Sequence, residues 1–211
     1  MNRGGSPKIF GCFWYAVIPL VVAPALGLAA DPIRYESSVD AMGSTFSIAA
    51  YGPDRDSIAA TVEQALEEAR RLDHMLSNYR PESEWSQVNR FAGQREVTVS
   101  QELFDLLAAC YAYSQKSHGS FDITVGPLMK VWGFYKGSGQ MPHRSEVRVA
   151  LARIGYQNLI LNPTTRTVRF AKNGIEIDPG GIGKGYAVDR MAEILRQGNI
   201  KAALINAAYA D

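Results

Sequence analysis

Apolar residues recur at spacings of three and four from Ile58 through Val62, Ala65, Leu66, Ala69 and Leu72 to Leu76. Glu63, Glu67, Glu68, Arg70 and Arg71 fall between them, so residues 56–76 carry one apolar and one charged helical face. Just upstream, Ser44 to Ala50 is rich in β-formers and stops at Gly52-Pro53, which predicts a strand ended by a turn. A second helical stripe, Leu103, Leu106, Leu107 and Cys110, predicts a helix from Gln101 to Ser117, with Ser100 as N-cap and Gly119 just past its end. Ser145 is expected to cap a short helix ending at Gly155.

Further along, residues 158–162 and 167–171 are short β-rich runs separated by Pro163, Thr164, Thr165 and Arg166, the spacing of a hairpin. Ile175 to Asp178 reads as a short strand, followed by a glycine-rich loop. Ala187, Val188, Met191, Ile194 and Leu195 then mark a helix ending at Gly198, and Ile200 to Ile205 a last strand. Helices and strands intermix without strict alternation, so the expected class is α+β, a mixed sheet with flanking helices.

The first thirty residues follow a different pattern. Arg3 and Lys8 precede an uncharged run from Ile9 to Ala30 that closes on Gly27, Leu28, Ala29 and Ala30. The basic, apolar, small-residue order is that of a secretory signal; an uncleaved membrane anchor is the rival reading, weakened by Pro19 and Pro24. Either reading leaves residues 31–211 as the folded domain in an extracytoplasmic (periplasmic) setting, and the anchor reading ties it to the inner membrane.

Across all 211 residues, 22 Lys and Arg stand against 21 Asp and Glu, with no basic excess of the kind that nucleic acid binding uses. Two cysteines, Cys12 and Cys110, exclude a disulfide scaffold and a cysteine metal cluster, and Cys110 fits core packing. His74, His118 and His143 lack metal-ligand spacing.

The candidate chemistry lies in Asp178-Pro179-Gly180-Gly181-Ile182-Gly183-Lys184-Gly185. Its glycines let backbone approach a ligand, its position before a helix offers free amides to an anion, and Lys184 adds a positive charge. Asp178 can accept from a ligand hydroxyl or ring N–H. A phosphorylated ligand, often with a divalent cation, suits this set. The loop is not a Walker A sequence, since Asp178 stands where its first glycine belongs and Gly185 follows the lysine. It is not a G-x-G-x-x-G loop either, because Tyr186 stands at the third glycine position.

Four ordered segments, this loop included, resemble the ApbE family of FAD:protein FMN transferases. Ala41-Met42-Gly43-Ser44 resembles its Met-Gly motif, and residues 77–89, with Ser77, Tyr79, Ser83, Ser86 and Asn89, its serine- and tyrosine-rich segment. Gly119 to Leu128, followed by Trp132-Gly133, is similar to its Phe-Asp-x-Thr-Val-Gly-Pro motif, and Asp178 to Asp189 to Asp-x-Gly-Gly-x-x-Lys-Gly-x-x-x-Asp.

The resemblance implies an ApbE-like (T-fold-like) domain that splits FAD, joins FMN through a phosphoester bond to a threonine of a target flavoprotein, and releases AMP. It implies FAD contacts from Met42, Tyr79, Ser120, Phe121, Asp122, Asp178 and Lys184, and magnesium held in part by the Gly181 carbonyl. A non-catalytic periplasmic flavin-binding or carrier protein on the same fold is the alternative. The family runs on past the strand matching Ile200 to Asn206, into a segment that completes the metal site. The expectation is therefore a domain whose C-terminal part is missing and which is inactive as it stands.

Overall fold

The computed structural model describes residues 31–137 and 139–207; the signal reading of residues 1–30, Cys12 included, lies outside them. The chain enters along β1 (Ile33–Ala41) and turns at Met42-Gly43 into β2 (Ser44–Gly52). Both turn residues have positive φ, 53° and 65°, the paired left-handed geometry of a two-residue hairpin. Nine register pairs, from Ile33 opposite Gly52 to Ala41 opposite Ser44, run without a slip. Phe46, Ile48 and Ala50 alternate inward and are fully buried.

Helix α1 (Arg55–Leu76) starts at Asp54, whose carboxylate accepts from the Ser57 N–H at 2.9 Å. Its buried face carries Ile58, Val62, Ala65, Leu66, Ala69, Leu72 and Leu76, as the periodicity predicts. This face packs on the first sheet and on α6 (Gly183–Gln197). Gly198, closing α6, lies so near Thr61 that a Cβ there would sit 2.3 Å from the threonine methyl. β6 (Ala202–Asn206) returns antiparallel to β2, giving the order β1-β2-β6.

Between these elements lie α2 (Glu84–Phe91), β3 (Val97–Thr98), α3 (Gln101–Lys116), α4 (Gly126–Val131), α5 (Arg144–Leu151), β4 (Leu159–Asn162) and β5 (Thr167–Phe170). β4 and β5 form the expected hairpin, and β3 adds to β5, so a second three-stranded antiparallel sheet has the order β3-β5-β4. The class is α+β, with the strands divided between two small sheets.

β1 and α2 were not expected, and two local expectations differ from the structure. Tyr35, Ser37, Val39 and Ala41 alternate inward along β1, but Ser37 and Ser38 interrupt the apolar pattern. α2 hides in the serine-rich segment, started by Ser83, whose hydroxyl accepts from the Ser86 N–H at 3.0 Å. α5 is capped two residues earlier than expected, by His143, with the Glu146 carboxylate accepting from the His143 N–H at 2.8 Å. Ile175 to Asp178 is extended but is no ladder strand. It forms one parallel bridge, Val125 to Glu176, and one further backbone bond, Asp178 to Ile123, and its other partners are side chains.

Candidate functional site

Those side chains build the site. Asn89, on α2, offers its amide to Ile177 as a strand would: Oδ1 accepts from the Ile177 N–H at 2.7 Å and Nδ2 donates to the Ile177 carbonyl at 2.9 Å. The same carbonyl accepts from the indole N–H of fully buried Trp85 at 3.1 Å. Across the segment, the Asp178 N–H donates to the Ile123 carbonyl at 2.7 Å and the Gly126 N–H to the Glu176 carbonyl at 3.1 Å. This approach requires glycine at 126, since a Cβ would lie 2.7 Å from the Glu176 carbonyl oxygen. The strand that ends in Asp178 is thus held from both sides.

Asp178 is buried. Its Oδ2 accepts from the Tyr135 hydroxyl at 2.6 Å and from Asn78 Nδ2 at 3.0 Å. Its Oδ1 accepts from the Gly180 N–H at 2.9 Å, which shapes the start of the glycine loop. Asn78 is itself oriented by Asn89, whose Nδ2 donates to Asn78 Oδ1 at 3.1 Å. Burial first, and the hydrogen bond to Asp178 second, push the Tyr135 phenol well above its ordinary range, so it remains a protonated donor.

A cavity of about 570 Å3 opens above this carboxylate. Its lining includes Asp178, Gly180, Gly183 and Lys184, Met42, Gly43 and Asp73, and the aromatic Tyr79, Phe134 and Tyr135. Tyr79 is 71% exposed and stands edge-on to Tyr135, ring centroids 6.1 Å apart. Met42 is fixed by its N–H, which donates to Asp73 Oδ1 at 2.8 Å. Ser77 holds the Tyr79 loop: its hydroxyl accepts from the Tyr79 N–H at 3.1 Å, and its carbonyl accepts from the Ser83 and Ser86 hydroxyls. The first turn of α6 faces this space with no side-chain cap. The cavity therefore joins an apolar and aromatic rim, a buried carboxylate, a lysine and a helix start, features suited to a ring system carrying phosphate.

Of the residues expected at the site, Met42, Tyr79, Asp178 and Lys184 line this cavity. Ser120, Phe121 and Asp122 do not. Ser120 is exposed beyond α3. Phe121 lies behind the glycine loop, where a Cβ on Gly181 would meet its ring at 3.3 Å. Asp122 turns inward: Oδ1 accepts from the Thr124 N–H and hydroxyl at 2.8 and 2.7 Å, and Oδ2 from the Tyr156 N–H at 2.8 Å. The sequence reading missed Asn78, Asn89, Asp73 and Tyr135. Asn78 and Asn89 lie within the serine- and tyrosine-rich segment, and Tyr135 two residues after Trp132-Gly133, so their position beside the motifs was the available signal.

Among the described residues, no three His, Cys, Asp or Glu side chains come together as a metal site. The Gly181 carbonyl belongs to an exposed loop residue. Magnesium takes carboxylate and phosphate oxygens in a near-octahedral shell, and these residues alone do not supply it.

The family model named ApbE matches residues 42–208. A curated relative from Klebsiella pneumoniae (strain 342), named FAD:protein FMN transferase, is 36% identical over 174 residues, covering 82% of this chain and 53% of its own length. A relative of the same name from Chlamydia pneumoniae is 32% identical over 136 residues, 64% of this chain and 43% of its own length. The chain thus spans about half the length of the curated relatives it matches. The crystal structure of the ApbE protein from Thermotoga maritima superposes with a TM-score of 0.76 at 30% identity, over 83% of this chain and 57% of its own. The flavin transferase ApbE from Vibrio cholerae, 24% identical, shares the fold with a TM-score of 0.72 over 83% of this chain and 57% of its own. With the family's model matched from the Met42 turn through the last strand, and its fold shared by solved members, the chain belongs to the ApbE family.

Proposed function

We propose that this chain carries the flavin-nucleotide site of an FAD:protein FMN transferase. The carrying observation is the cavity in which Asp178, Lys184 and the start of α6 meet Met42 and Tyr79. The apolar and aromatic rim takes ring surface, Asp178 accepts from a ring N–H or ribose hydroxyl, and Lys184 with the α6 amides balances the pyrophosphate. In the reaction, a threonine hydroxyl of a target flavoprotein attacks the phosphorus on the FMN side. The new bond is the threonine phosphoester, the bond broken is the pyrophosphate P–O, and AMP leaves. Phe121 belongs to the proposal as the wall behind Gly181, with Ser120 and Asp122 as its neighbours on the same turn.

Magnesium also belongs to the proposal, through the resemblance, with Gly181 as a carbonyl donor. The described residues do not form its shell, and no step above runs through it. Residues 1–30 are proposed as a secretion signal or anchor, placing the domain outside the cytoplasm and near the inner membrane. This rests on their basic, apolar and small-residue order.

The test incubates the full chain with FAD, magnesium and a threonine-bearing flavoprotein target, and measures AMP release and flavin covalently bound to the target. Both products support the transferase. FAD binding without either product, from this chain and equally from a full-length relative aligned with it, supports the carrier alternative, and no FAD binding ends both.

A further inference from the structure

The first turn of α6 is an improbable place for a rigid ligand-binding end. It holds Gly183 and Gly185, whose backbones are freer than alanine's, and no side chain caps it. The far end of α6 is pinned by the close approach of Gly198 to Thr61. The near end has a polar tie instead. The Tyr186 hydroxyl donates to Glu102 Oε1, on α3, at 3.0 Å. Arg71, on α1, donates to the same Glu102 oxygen at 2.7 Å and grips both oxygens of Glu68 at 2.7 and 2.8 Å. One turn further along α6, Arg190 reaches Glu68 at 3.4 Å. Arg71 therefore joins two carboxylates, each holding one turn of α6.

We infer that Tyr186 is a positioning residue: through Glu102 and Arg71 it fixes the first turn of α6, and with it Lys184 and the backbone amides that meet the ligand's phosphates. The inference rests on the flavin-nucleotide reading above. Tyr186 is not among the cavity-lining residues, and it sits two residues after Lys184 on the same helical turn. Its ring packs against the core, while its hydroxyl has the geometry of a tie. Burial, followed by the Glu102 carboxylate, raises this phenol to about 12, so the hydroxyl keeps its proton throughout the physiological range. Sliding or fraying of the turn moves Lys184 and the amides together, so the cost falls on phosphate binding and not on ring binding.

The experiment compares FAD, FMN and riboflavin binding by the full chain and by Tyr186→Phe, which keeps the ring and removes only the tie. The variant is expected to bind FAD and FMN about three- to tenfold more weakly, from one lost bond to a charged group, with riboflavin unchanged. Glu102→Ala should give the same selective loss, and the double variant no more than either single. Hydrogen exchange should be faster at amides 184–187 and unchanged near Gly198. Equal loss for all three flavins, or unchanged FAD affinity in Tyr186→Phe, overturns the inference and leaves the flavin reading intact. If the unaltered chain binds no flavin nucleotide, the flavin reading falls and takes the inference with it.

Discussion

Replacing Asn89 with alanine removes the amide that serves Ile177 in place of a neighbouring strand. Three hydrogen bonds go with it: two to the Ile177 backbone at 2.7 and 2.9 Å, and one to Asn78 at 3.1 Å. They are not equivalent. The Ile177 carbonyl keeps the Trp85 indole N–H at 3.1 Å and remains satisfied. The Ile177 N–H loses its acceptor beside a fully buried side chain, and an unmet buried donor costs about 1–3 kcal/mol. With roughly 1 kcal/mol for the remaining bonds, the expected loss is about 2–4 kcal/mol, or roughly 5–15 °C in Tm for a chain of this size. Urea unfolding of the full chain, followed by tryptophan fluorescence, measures it. Asn89→Asp makes the sharper test, because it keeps an acceptor for the N–H but sets a carboxylate against the Ile177 carbonyl. It should be destabilised at neutral pH and partly recover as pH falls toward about 4, because the facing carbonyl raises the carboxyl's pKa and the protonated group is a donor. A loss under about 1 kcal/mol in Asn89→Ala, with an unchanged denaturant slope, refutes the view that this amide stands in for a strand.

Lys184→Ala should weaken FAD binding by about 1–3 kcal/mol, the range for a charge-assisted hydrogen bond, by titration calorimetry; unchanged affinity makes the lysine structural. Burial and Asp178 raise the Tyr135 phenol, so the native state keeps a proton that the unfolded chain releases above about pH 10. The stability this provides is complete below that pH and falls as pH rises, so Tyr135→Phe should flatten the decline in urea midpoints between about pH 9 and 11.5. An identical decline in the variant assigns it to other groups. Burial pushes the Cys110 thiol up to about 12, and the side chain is fully buried. In a Cys12→Ser chain, a thiol reagent should therefore react only as the protein unfolds, and rapid labelling under native conditions contradicts the packing.

The long amphipathic helices were legible because their burial follows from spacing alone: Ile58 to Leu76 face the sheet where their periodicity puts them. The β4–β5 hairpin was legible for the same local reason. The extended run into Asp178 was misread as a ladder strand because its apolar alternation is real. Its partners, however, are the Asn89 amide, the Trp85 indole and two backbone groups near Val125. Nothing in the local pattern tells a side-chain partner from a strand partner. α4 escaped notice similarly, being six residues long and started by Gly126-Pro127 without a side-chain cap.

The site divides along the same line. Asp178 and Lys184 could be named from sequence because a strand end and a glycine-rich helix start have local signatures, while Met42 was named only through the resemblance of its Met-Gly pair. Tyr135 and Asn78 could not, because their role exists only through the fold, where both donate to Asp178 Oδ2. Asp122 shows the converse. It stands in the segment that most resembles the family, yet its carboxylate braces Thr124 and Tyr156 across 34 residues of chain. That brace fixes the turn whose Ile123 carbonyl accepts from the Asp178 N–H, and whose Phe121 ring backs Gly181. Oδ1 already accepts twice and Oδ2 once, so one lone pair remains for a ligand on this carboxylate. A ligand contact by Asp122 is therefore compatible with the brace, but the brace comes first. Without it the glycine loop loses its backing and the Asp178 N–H its acceptor.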